Sequence, residues 1–146
     1  MKKKKEPEFT YKDNYTKCEF VDNKYGRKYV GEAYCNPVDE DFKSLITGST
    51  IAEIRMHINM MTTYKNDLRI KLEGLNQLLY SMRQSKKFDP TSYPVKMLYR
   101  QIRITRDDIE TIKDCIAEMK ADLKNYIDGK EKVYQILRAK NNEQER

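Results

Sequence analysis

Residues 95–126 read VKMLYRQIRITRDDIETIKDCIAEMKADLKNY, and the fold turns on their spacing. Seam positions fall at Val95, Leu98, Ile102, Thr105, Ile109, Ile112, Ile116, Met119, Leu123 and Tyr126, and the pattern runs on through Lys130, Val133 and Leu137. Steps of three and four alternate throughout, which is the a/d seam of a coiled coil. A matching register lies upstream at Ile51, Ile54, Ile58, Met61, Lys65, Leu68, Leu72, Leu75, Leu79 and Met82. Between the two, residues 84–94 (QSKKFDPTSYP) carry two prolines, which stop one helix and pre-set φ for the next. Ser92 or Asp89 can cap the second helix. The spacing predicts an antiparallel helical hairpin over residues 49–140, with helices over about 49–85 and 94–140. Lys65, Thr105 and Lys130 weaken the seam but disfavour slipped registers.

Pairing Met82 with Val95 and working outward sets Ile51 opposite Tyr126. The second helix then outruns the first. Val133, Ile136 and Leu137 are left without a partner in the hairpin, so they must pack on the N-terminal segment or on another protomer. This predicts a homo-oligomer, with those three residues as interface candidates.

Upstream of the hairpin the character changes. Phe9, Tyr11, Tyr15, Phe20, Val21, Tyr25, Tyr29, Val30 and Tyr34 crowd into a short stretch broken by turn formers, which reads as an antiparallel hairpin or small sheet over residues 9–37. The best hairpin joins Tyr15–Val21 to Lys28–Cys35. Tyr29, Gly31, Ala33 and Cys35 share one face, and their small members let a helix approach closely. Residues 38–48 form an acidic connector anchored by Phe42. Thr50 and Glu53 have the spacing of a capping box, which predicts that the first helix begins at Ser49 or Thr50. Gly74, inside that helix, suggests close packing against a partner helix. Residues 1–8 read as a disordered basic tail and 141–146 as a frayed end. The fold class is therefore α+β, mostly α: a small antiparallel sheet followed by a long two-helix coiled-coil hairpin.

Only 38% of the 146 residues are hydrophobic and 36% are charged, so the core is thin and the outer helix faces are solvated. A net charge of +6 points to anionic partners: a nucleotide, nucleic acid or an acidic protein face. Three cysteines form no paired framework and suggest a reducing compartment. Lys2–Lys5 lead into Glu6-Pro7-Glu8 rather than an apolar run, and no stretch is apolar enough to span a bilayer, so the expectation is a cytoplasmic protein without membrane contact.

No catalytic motif is present, and the expectation is a protein that is not an enzyme. His57, the lone histidine, reads as a polar residue flanking the seam. Cys18, Cys35, Cys115 and His57 match no zinc-ligand spacing, so neither metal nor other cofactor is expected. Asp39, Glu40, Asp41, Asp107 and Asp108 read as solvated surface. The basic clusters carry more information. Arg83 and Lys87 flank the helix reversal with Phe88 and Tyr93. Just beyond it, Tyr99, Arg100, Arg103 and Arg106 lie within two helical turns, and Arg27 and Lys28 sit at the sheet turn. Guanidinium forks beside aromatic rings suit phosphates and stacked bases, which makes these ten residues the ligand-binding candidates.

The run Gly31-Glu32-Ala33-Tyr34-Cys35-Asn36-Pro37-Val38-Asp39-Glu40-Asp41-Phe42, then Thr47-Gly48-Ser49-Thr50-Ile51-Ala52-Glu53-Ile54-Arg55, resembles small phage and prophage proteins of low-GC Gram-positive bacteria. The layout of a small sheet followed by two long helices also resembles the phage anti-Thoeris sponge proteins. That resemblance implies a non-enzymatic counter-defence role in the host cytoplasm, exerted by sequestering a cyclic nucleotide-type immune signal or by blocking a host defence protein. Two other classes compete with it. One is a nucleic-acid-binding protein or an inhibitor of an RNA-guided or restriction nuclease. The other is a structural coiled-coil component of a virion.

Overall fold

The computed structural model describes residues 6–24, 26–35 and 44–144. It is α+β and mostly α: three antiparallel strands followed by two long helices. The strands are β1 (Glu8–Lys12), β2 (Tyr15–Asp22) and β3 (Arg27–Tyr34), and the helices are α1 (Leu45–Arg83) and α2 (Tyr93–Gln144). The expected anchor Phe42 and the rest of residues 36–43 lie outside the described residues, as do Lys2–Lys5 and Tyr25. The chain divides into two compact units, residues 1–60 with 118–146, and residues 61–117. No helix among the described residues is long and apolar enough to cross a membrane.

In the first unit the strand order is β1-β2-β3, both pairings antiparallel. Glu8, expected in the tail, is the first residue of β1 and pairs with Glu19. Asp13 closes the two-residue β1–β2 turn at φ 44°, in the left-handed region that Asp tolerates. Because side chains alternate, register fixes the faces. Thr16 opposes Ala33 and Cys18 opposes Gly31, and all of these lie on the buried face with Tyr29. α1 lies directly against that face. A side chain begun at Gly31 would collide with the carbonyl of Ala52 and the amide of Met56. Ala52, Met56 and Cys18 are fully buried there. Burial of one such side chain contributes about 1.5–3 kcal/mol. α1 also reaches around the outside of β3, an edge strand. Arg55 donates to the carbonyl of Glu32 (2.7 Å) and Asn59 to that of Val30 (2.5 Å).

α1 begins at Leu45, upstream of the expected Ser49 or Thr50. The reason is local. Ser44 takes the cap position: its Oγ accepts the Thr47 amide (3.4 Å) and its carbonyl accepts the Gly48 amide (3.0 Å). Thr50, the apparent cap, instead donates its hydroxyl back to the Ile46 carbonyl (2.7 Å), as threonines inside helices do.

The second unit is the hairpin proper. Leu79, Leu98 and Ile102 form its buried centre, with Leu72, Leu75 and Met82 packed around them. Val95, Ile109 and Ile116 are buried as well. Thr105, the polar seam residue, is 1% exposed, and its hydroxyl is satisfied by the Gln101 carbonyl (2.7 Å). At the reversal, Ser92 immediately precedes α2, its carbonyl accepting the Lys96 amide (3.0 Å). The Asp89 carboxylate accepts both the amide (2.9 Å) and the hydroxyl (2.7 Å) of Thr91, and these bonds hold it below the ordinary carboxylate range. Gly74 is not a close-packing point within this chain: a Cβ there would meet nothing within 4 Å.

The two glycines therefore predict opposite outcomes. Gly31→Ala forces sheet and helix backbones apart and is expected to cost about 3 kcal/mol. Gly74→Ala replaces a flexible residue inside an unobstructed helix and is expected to stabilise by up to about 1 kcal/mol. Urea denaturation midpoints at constant m-value measure both.

Candidate functional site

The longer helix α2 has 52 residues against 39 in α1, and its far end lies in the unit that holds the sheet. There a cleft of about 280 Å³ opens between three elements. From the sheet come Asp13 and Asn14 of the β1–β2 turn, then Thr16, Ala33, Tyr34 and Cys35. From the start of α1 come Ser44, Leu45, Thr47, Gly48 and Ile51. α2 contributes Ile127, Lys130, Glu131 and Tyr134, a stripe of three- and four-residue steps.

Two partners were expected for the end of α2, the sheet or another protomer, and within this chain the sheet is not covered by the residues named for it. Val133 and Ile136 are 49% and 57% exposed, and Leu137 is half-buried. The face turned toward the cleft is the neighbouring one, through Ile127, Lys130 and Tyr134. Lys130 is thus part of the cleft lining, its ammonium 5.5 Å from the centre of the Tyr126 ring. That distance is within the range of a cation–π attraction.

The cleft wall is mixed in chemistry. Thr16 and Thr47 are only 7% and 8% exposed. Gly48 leaves the room that Thr16 occupies: a Cβ there would sit 2.6 Å from the Thr16 Oγ1. Tyr34, at the rim, packs on Tyr15 with ring centroids 5.0 Å apart and donates to Glu32 (3.2 Å). That hydrogen bond to a carboxylate, then burial, holds the Tyr34 phenol above its ordinary pKa. The Cys35 amide donates to the Asn14 carbonyl (2.7 Å), which pins the strand end to the turn. An apolar wall with a few convergent polar groups is the usual makeup of a small-molecule site.

The sequence-derived candidates fall in other places. Lys28 in β3 pairs with Glu19 (3.0 Å), which also pairs with Lys17. These two ammonium groups, chiefly through their hydrogen bonds, lower the Glu19 pKa. Arg27 opens β3 opposite Asp22. The rest belong to the second unit. Arg83 and Tyr99 are brought together: the guanidinium donates to the phenol oxygen (2.6 Å) and lies 5.8 Å from its ring centre. Lys87 and Tyr93 are exposed and Phe88 is half-buried. Arg100, Arg103 and Arg106 are exposed along α2. His57 lies 3.8 Å from Glu53, one turn away on α1. Among the described residues no group of three or more His, Cys, Asp or Glu side chains is arranged to hold a metal.

Sequence reasoning missed the cleft. Its traces were the hydroxyl-rich run Thr47-Gly48-Ser49-Thr50 and the lysine breaking the seam at position 130. The chain matches no family model, no curated protein and no solved structure.

The cysteines report on this geometry. Cys18 is fully buried, and burial pushes its thiol up to about 11, with Glu53 adding to the shift. Cys35 and Cys115 are half-buried. In the native protein at pH 8, iodoacetamide is expected to alkylate Cys35 and Cys115 and to spare Cys18, as read by mass spectrometry. The raised thiol also predicts an alkaline loss of stability. Below about pH 9 both folded and unfolded thiols keep their protons; between 9 and 11 the unfolded chain loses its proton first, so stability falls with rising pH.

Proposed function

We propose that the protein is a non-enzymatic binding protein that sequesters a small nucleotide-type signal, and that it serves phage counter-defence in the host cytoplasm. The carrying observation is the cleft of the first unit, where aromatic, apolar, hydroxyl and cationic groups converge. Such a lining offers stacking surface, hydrogen bonds and a positive charge to one small molecule. The cellular role rests on the resemblance of the layout to the anti-Thoeris sponge proteins. The lone histidine lies outside the cleft lining, which favours holding a ligand over transforming it.

Cyclic mononucleotides, cyclic dinucleotides and cyclic ADP-ribose-type molecules, added one at a time, are the direct test. At least one is expected to raise the melting temperature by several degrees, and Ile51→Lys in the cleft is expected to abolish the shift. No shift with any of them removes this reading.

A second reading is favoured by the exposed Arg100, Arg103 and Arg106, which suit a nucleic acid or an acidic face of a host defence protein. It predicts nucleic-acid binding that weakens steeply with salt, and that Arg100→Ala with Arg103→Ala lowers both affinity and salt slope. A mobility shift unchanged by both substitutions would exclude these residues. Exposed Val133 and Ile136 supply the apolar surface for a homo-oligomer. Light scattering after size exclusion is expected to give more than one chain per particle, and Ile136→Glu to reduce it to one.

A further inference from the structure

We infer that the outer face of α2 in the second unit docks a second copy of this chain, with the two helices antiparallel and the two-fold axis at the height of Thr105. The inference goes beyond the binding reading and does not involve the cleft. Opposite the seam, Lys96, Arg100, Arg103, Asp107, Glu110 and Asp114 follow one another in steps of four and three, all within the second unit. They hold positions b and f of the heptad whose positions a and d include Leu98 and Ile102 of the hairpin core. With about 3.6 residues per turn they fall within about 80° of arc, and with about 1.5 Å of rise per residue they span about 27 Å. Every one of them is exposed.

The row is sorted by sign, three cations followed by three carboxylates. Sorting sets like charges at three- and four-residue spacing: Lys96 beside Arg100, Arg100 beside Arg103, Asp107 beside Glu110 and Glu110 beside Asp114. Like neighbours at those spacings weaken a lone helix. A partner with the reverse order relieves them, and this chain supplies one. Turned end for end about Thr105, the row sets Lys96 against the copy's Asp114, Arg100 against its Glu110 and Arg103 against its Asp107. Each pair is made twice, once on either side of the axis. The b and f positions then alternate across the contact as a and d positions do in an antiparallel coiled coil. A parallel copy would stack like on like, so the same row specifies the direction. Glu110 also lies 3.4 Å from Lys113 of its own helix, an exposed pair that adds little and yields readily.

The axis has an apolar point as well. Ile104, 37% exposed, is the residue before Thr105 and lies at one edge of the row, where it meets its own copy. Arg106 flanks the axis at the other edge, where its long stem carries the guanidinium out to solvent. A polyanion fits this face less well, because along one row it meets as many carboxylates as cations. Exposed ion pairs are individually weak and are screened by salt. The contact therefore forms at low ionic strength and high protein concentration, and adds to the apolar contact proposed for Val133 and Ile136.

Sedimentation velocity on the full chain carrying Ile136→Glu, which removes that apolar contact, tests the charged face by itself. The average mass is expected to rise with protein concentration at about 10 mM salt, where the screening length is about 30 Å, and to return to that of one chain at about 1 M, where it is about 3 Å. Arg100→Glu and Glu110→Arg, each added alone, set like charges against each other in the copy. Each is expected to weaken association at low salt at least about 10-fold. An equimolar mixture of these two variants is expected to associate again, because the glutamate at 100 of one chain then faces the arginine at 110 of the other. A mass that stays at one chain at low salt overturns the inference, and so does association insensitive to salt. A mixture no larger than its two components also overturns it, since the arginine then has some other acidic partner, and a mobility shift with nucleic acid lost in Arg100→Glu alone would give that partner as a polyanion.

Discussion

The peptide at Gly31 lies against the backbone of α1, with the Ala52 carbonyl and Met56 amide where a side chain would begin. This contact governs the first unit. It requires small residues on both partners, and they are present: Gly31 and Ala33 on β3, Gly48 and Ala52 on α1. With the helix held this close, Met56 and Cys18 lose all contact with water, and Arg55 and Asn59 come within reach of the strand's outer carbonyls. The first turn of α1 then lies beside Thr16, and the cleft forms between them. Its walls are a by-product of backbone proximity, so residues that never touch a ligand set its shape.

Polar interruptions of one heptad pattern meet different fates here. Thr105 lies in the hairpin core, where a short side chain can return its hydrogen bond to its own helix, so burial leaves nothing unsatisfied. Lys130 has no such option. It lies beyond the hairpin core, along the Tyr126 ring and at the cleft wall, where its stem covers apolar surface and its charge stays near water. Both are seam positions; the environment at that height of the helix decides the role.

The fold was legible where periodicity is enforced by burial. Leu79, Leu98 and Ile102 have to meet for the helices to hold, and alternation in β2 and β3 has to match the face packed on α1. The start of α1 was less legible, because Thr50 looks like a cap and only the competing Ser44, three residues before Thr47, shows that it is not. The cleft was hidden for a different reason. Thr16, Thr47 and Lys130 are far apart in sequence, and each has an ordinary local explanation as a strand residue, a helix-start residue or a seam defect. The basic candidates, by contrast, were grouped by proximity along the chain, and the structure joins Arg83 with Tyr99 while Arg100, Arg103 and Arg106 lie exposed along α2.

The bonds from Arg55 and Asn59 to β3 carry one more consequence, for the solution behaviour of the sheet. Strand edges recruit further strands, and uncovered ones seed aggregation. Here α1 occupies the carbonyls along one margin, so that side is closed to growth. The other margin is β1, only five residues long and bearing Glu8 and Lys12 at its ends. The sheet is thus a terminated template: one border is sealed by a helix, and the other is too short and too charged to propagate.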